Sequence, residues 1–207
     1  MDNFNLTKYL KNNSLNENEE TAEEVVDALQ DEMDDILDGI EDKLELASEK
    51  QQSTNEGLLT IVSIGLALPA ILGLIARIGK KAGKVVNSML GSKPTEKEEE
   101  EQWFAKLGKI ADELHHLYMI PLEKLFSKFI KDPKKAKKAA NIMFHVIIAI
   151  LLVASGTTAI KAIQSKNISF ATLEGALTAI KGGELSAFVS NALEIVSDTG
   201  EMSNTDM

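Results

Sequence analysis

The chain contains no cysteine among its 207 residues. Disulfide bridges, thiolate nucleophiles and cysteine-ligated metals are therefore excluded. Four prolines and an aromatic content of 5% make a poor recipe for an all-β domain and a good one for helices. Positive charge is also short: 22 Lys and Arg against 32 Asp and Glu leave a net charge of −10. That balance argues against general binding to nucleic-acid phosphates. No Gly-x-Ser-x-Gly elbow, His-Glu-x-x-His helix or dinucleotide glycine motif is present. Nothing indicates catalysis, a cofactor, a metal or a small-molecule substrate.

What the chain does have is segregation. Residues 57–76 and 139–160 carry no charge, although 26% of the whole is charged. A helix of about 20 residues spans roughly 30 Å, the depth of a bilayer core. Eleven Leu, Ile or Val residues between 58 and 76 offer roughly −3 to −6 kcal/mol towards insertion. Core helices of water-soluble proteins normally keep a polar face, and these stretches show none. The sequence therefore predicts an all-α fold: a two-span transmembrane helical hairpin with amphipathic helices before, between and after the spans. The lipid bilayer is its expected partner.

Five regions follow. Residues 1–52 read as a polar, fraying tail and an acidic amphipathic helix. Thr21 and Glu24 make a capping-box pattern ahead of it, and Val26, Leu29, Met33, Ile36, Ile40 and Leu44 fall on one face. Residues 53–79 form the first span, with a capping box at Ser53 and Glu56 and a kink expected at Pro69. Residues 80–132 form a basic, amphipathic inter-span region. Thr95 and Glu98 cap its main helix, and Pro121 is expected to split it in two near Met119. Residues 133–164 form the second span, opened by Asp132 as N-cap and Pro133 at the first helical position. Residues 165–207 form two short amphipathic helices, parted by Gly182–Gly183, and a loose tail.

Lysines and arginine stand at the span ends. Arg77, Lys80, Lys81 and Lys84 follow the first, and Lys134, Lys135, Lys137 and Lys138 precede the second, as membrane-boundary residues that snorkel to headgroups. The Gly79–Lys84 run is too short for a phosphate loop and lacks its Ser or Thr. Fifteen of the 22 basic residues lie in 77–138, so the positive-inside rule puts the inter-span region in the cytoplasm and both termini opposite. The amino terminus lacks the basic start and apolar run of a signal peptide.

His145 is the candidate intramembrane polar site, because ionisable groups inside a membrane are costly and often functional. It is expected to reach headgroups or to pair with Ser63 or Thr60 of the first span. Asp112 and His116 sit at i, i+4, but two ligands are too few for a metal. The Asp34–Asp35–Asp38 and Glu98–Glu101 clusters lack calcium-loop spacing and read as solvated faces.

The opening Phe4-Asn-Leu-Thr-Lys-Tyr-Leu-Lys-Asn-Asn-Ser-Leu resembles the amino-terminal segment of uncharacterised proteins of environmental tailed phages. Those often read Phe-x-Leu-x-Lys-Phe-Leu-x-Glu-Asn-x-Leu, and Asn12 stands where Glu is usual. The resemblance covers about 12 residues and carries no catalytic residue with it. It implies a phage-encoded protein, virion-associated or acting on a host membrane.

Three functional expectations follow. The first is a non-enzymatic integral membrane scaffold that forms homo-oligomers or docks other proteins through its amphipathic helices. The second is a holin-like pore former. The third is a soluble helical virion protein whose apolar hairpin is buried.

Overall fold

The computed structural model describes the backbone of residues 6–51, 59–91, 94–156 and 163–198, and the side chains of 22–49, 67–91, 94–156 and 163–193. All regular structure among them is helical: α1 (Leu6–Gln51), α2 (Leu59–Leu90), α3 (Lys97–Phe129), α4 (Pro133–Ala154), α5 (Phe170–Gly182) and α6 (Leu185–Asp198). The all-α expectation holds.

Local signals explain some boundaries and fail at others. Asp132 caps α4 as its sequence predicts, accepting the backbone N–H groups of Lys134 at 2.8 Å and Lys135 at 3.4 Å, with Pro133 behind it. Gly183, at φ 74°, ends α5 in the left-handed conformation and opens the α6 turn. By contrast, the Thr21–Glu24 capping box starts nothing, because α1 is already helical from Leu6. The region expected to fray is helix from that residue on. The Thr95–Glu98 box also fails: Glu96 is the N-cap of α3 and makes no side-chain cap bond.

Pro121 does not split α3, which runs through it. The proline removes the donor to the Leu117 carbonyl, but Leu117 is 48% exposed, on a face that water can reach. Tyr118, Leu122 and Leu125 are buried around it and hold the helix together. Pro69 likewise lies inside an uninterrupted α2. The second apolar helix is shorter than expected, ending at Ala154 where Ser155 Oγ donates to the Leu152 carbonyl and Gly156 turns left-handed. The Ser53–Glu56 box, Ser63 and Thr60, and residues 157–162 and 199–207 lie outside the described residues or side chains.

Packing joins α1 to α2 and α3, and α4 to α2 and α3, closing a four-sided bundle. The helix directions follow from facing residues. Gly39 faces Leu74, and Glu32 pairs with Lys81 at 3.6 Å, so α1 and α2 are antiparallel. The Tyr118 hydroxyl donates to the Gln30 carbonyl at 3.3 Å, and Lys128 pairs with Glu41, so α1 and α3 are parallel. Gly79 faces Ile150 and Gly83 faces Ala154, so α2 and α4 are also parallel. Two antiparallel hairpins, α1–α2 and α3–α4, thus lie side by side. The α5–α6 hairpin covers α4, and α6 also reaches α2.

The two-span hairpin is not confirmed. Two spans joined by a loop on one side of a membrane run antiparallel, whereas α2 and α4 run in the same direction. Among the described residues one helix, α4, is long and apolar enough to cross a membrane, and 72% of its most apolar window is buried in protein. From Ala67 onward α2 is two-sided: Leu68, Ile71 and Ile75 are buried, while Pro69, Ala70 and Gly73 are exposed. The acidic helix behaves as its spacing predicts, with Val26, Leu29, Met33, Ile36, Ile40 and Leu44 all buried in the common core.

Candidate functional site

The eight basic residues stand in two groups. Arg77, Lys80, Lys81 and Lys84 are exposed near the carboxyl-terminal half of α2. Because α2 and α4 are parallel, Lys134, Lys135, Lys137 and Lys138 lie at the opposite end of that helix pair, exposed except for half-buried Lys135. Lys81 pairs with Glu32 of α1 at 3.6 Å.

His145 is 1% exposed, at the middle of α4. Its ring is fixed from both sides. Nδ1–H donates to the Asn141 carbonyl at 2.7 Å, and Nε2 accepts the backbone N–H of Ser169 at 2.8 Å. That pattern needs the neutral imidazole with its proton on Nδ1. Burial pushes the imidazole below its ordinary value. The bond to Asn141 acts the other way, and His115 adds to the lowering. The residue that His145 accepts from, Ser169, is the N-cap of α5, while the side chains of Ser63 and Thr60 lie outside those described.

A second anchor sits nearby. Asp112 of α3 does not turn to His116. It accepts Ser165 Oγ at 2.7 Å, the backbone N–H of Asn167 at 3.1 Å and Asn167 Nδ2 at 2.9 Å. The Lys166 N–H approaches both carboxylate oxygens, at 3.2 and 3.3 Å. Gly108, one turn earlier, lets the Gln164 backbone lie directly against α3. Ile163 and Ile168 are buried at either end of the segment. Residues 163–169 are therefore clamped between α3 and α4, and the clamp seats the α5–α6 hairpin over α4. A ladder of rings completes it: His115 meets Phe144 edge-on at 5.1 Å, and Phe144 meets His145 at 6.1 Å. Burial also lowers the pKa of His115, opposed by Asp112 and reinforced by His116 and Lys137.

The sequence singled out His145 without its partner Ser169, and Asp112 as an anchor was missed. The available signal was the Ser165-Lys-Asn-Ile-Ser169 run, rich in side chains and N–H groups that a carboxylate gathers. Among the described residues no three His, Asp or Glu side chains converge as metal ligands. The Asp34–Asp35–Asp38 cluster faces solvent, as does most of Glu98–Glu101. Tyr118, desolvated and beside Asp34, has its pKa pushed up to about 12. These contacts position and cover helices, and none of them sets up a nucleophile beside a base. Comparison with family models, curated proteins and solved structures found no match to this chain.

Proposed function

We propose that this protein is a non-enzymatic helical scaffold whose apolar segments form its own core, with homo-oligomers or other proteins docking on its outer helices. One observation carries the reading: residues 143–152 of α4 are buried without interruption. Lipid has no access to that surface while α3, α5 and α6 stay docked. The outer face of α3 offers a docking surface, where Leu117 and Ile120 are 48% and 59% exposed. The amino-terminal resemblance to tailed-phage proteins fits a virion-associated setting.

A second reading is a membrane-associated scaffold, favoured by the length and apolar character of α4. Expression without detergent, followed by carbonate extraction of membranes, separates the two. Recovery of a folded, helical species in the aqueous fraction is expected. Retention in the carbonate-washed pellet would overturn the core reading and favour the membrane one.

A further inference from the structure

The turn between α5 and α6 leaves a gap beside α2. A groove of about 540 Å³ runs there, walled by Pro69, Gly73 and Ala76 of α2, Val153 and Ala154 of α4, and Leu185 of α6. The polar residues lining it are Lys80 and Ser186. Lys80 is exposed, as are Arg77 and Lys84, three and four residues away on the same side of the helix. From Pro69 to Lys80, α2 advances about 16 Å.

We infer that this groove binds the acyl chain of a long-chain fatty acid, whose carboxylate lies against Lys80. The volume falls within the roughly 300–1,000 Å³ of small-molecule sites. Among the described residues nothing fills the groove: a Cβ on Gly73 would meet no atom within 4 Å, and Val153 is 38% exposed. Its polarity is that of an anionic amphiphile, apolar along its length with one cationic side chain, Lys80, and no carboxylate in the lining. A peptide would bring a backbone N–H and carbonyl with every residue, and one serine cannot satisfy them.

This assignment goes beyond the scaffold reading and stands on the groove alone. The test is calorimetric titration of the full chain with saturated fatty acids of increasing length, each below its micelle concentration. Every added methylene tightens binding about fourfold until the groove is full, and longer chains gain nothing further. Gly73→Leu fills the groove from open space, so it keeps the wild-type helical spectrum and melts no lower than wild type while abolishing binding. Lys80→Glu weakens binding about fivefold, within the range of an exposed ion pair.

Affinity that ignores chain length overturns the inference, as does a folded Gly73→Leu variant that binds like wild type. Heat seen only with phosphatidylglycerol vesicles, never with monomeric fatty acid, moves the site to a membrane surface and also overturns it. So does Gly73-dependent dimerisation without fatty-acid binding.

Discussion

Acidification should unlock the bundle at His145, and the contacts around that ring set the size of the effect. The folded state holds the imidazole neutral, with Nε2 accepting the Ser169 N–H. Protonating Nε2 would turn that acceptor into a second donor facing a donor, in a site 1% exposed to water. The unfolded chain takes the proton near the ordinary pKa of about 6.5, and the folded state takes it only at lower pH. Stability is therefore fully present above about pH 6.5 and is lost as pH falls through the interval down to the folded pKa. The slope inside that interval is about 1.4 kcal/mol per pH unit, so pH 5 removes up to about 2 kcal/mol. His115 shifts in the same direction and adds a smaller contribution, since it is only partly buried. With a urea m-value of about 2 kcal/mol/M, the unfolding midpoint drops by about 1 M between pH 7.5 and 5. Histidines dominate titration in that range.

The control is His145→Gln, whose amide oxygen can still accept from Ser169 but does not titrate. It should flatten most of the slope, with His115 accounting for the remainder. Amide exchange across residues 169–182 in the wild type should rise on acidification before global unfolding, because Ser169 begins α5. Parallel urea midpoints for wild type and His145→Gln across this pH range would refute the assignment of the slope to His145.

Two further outcomes follow from the packing. Asp112→Ala leaves the Ser165 and Asn167 donors without their acceptor, so a loss of about 1–3 kcal/mol is expected, with amide exchange rising at 163–169 first; unchanged exchange there would contradict the clamp. Gly83→Ala places a Cβ against both the side chain and the backbone of Ala154, costing about 1–3 kcal/mol despite alanine's better helix propensity, whereas Gly73→Ala meets nothing and should stabilise by up to about 1 kcal/mol. Thermal melts of both variants check this, and equal effects would count against the α2–α4 contact.

Periodicity made the outer helices legible and said little about how the inner ones meet. The stripe from Val26 to Leu44 could be read directly because α1 has one wet face and one dry face, and its spacing records both. The same holds for Phe104, Leu107, Ile110 and Leu114 of α3. Just before Pro121 the buried position passes to Tyr118 and Leu117 faces out. A proline rule applied alone missed this, because it counts the lost hydrogen bond and not the side chains that pack across the turn. His145 stood out by its place in an apolar run, but its partner, Ser169, is 24 residues away, beyond the reach of any helical periodicity. Asp112 gathers donors from more than 50 residues away, which no local pattern encodes.

An apolar stretch without a polar face describes two different helices, one wrapped by lipid and one wrapped by other helices. Direction separates them here. If 57–76 and 139–160 were successive spans, the chain between them would begin and end on the same side, and the spans would point oppositely. In the bundle α3 instead carries the chain back along the whole length of α2, about 50 Å for its 33 residues, so α4 can start beside the beginning of α2 and run with it. Lipid in place of this packing would draw Lys106, Lys109, Asp112, Glu113 and Lys124 across the bilayer with α3. A single Asp, Lys or Arg at the membrane centre costs about 2.5–3.5 kcal/mol, several-fold more than any one apolar residue returns. The parallel packing and a two-span insertion therefore exclude each other. A chain that adopted both would first have to separate α3 from α4 and break the clamp that Asp112 and His145 make on residues 163–169.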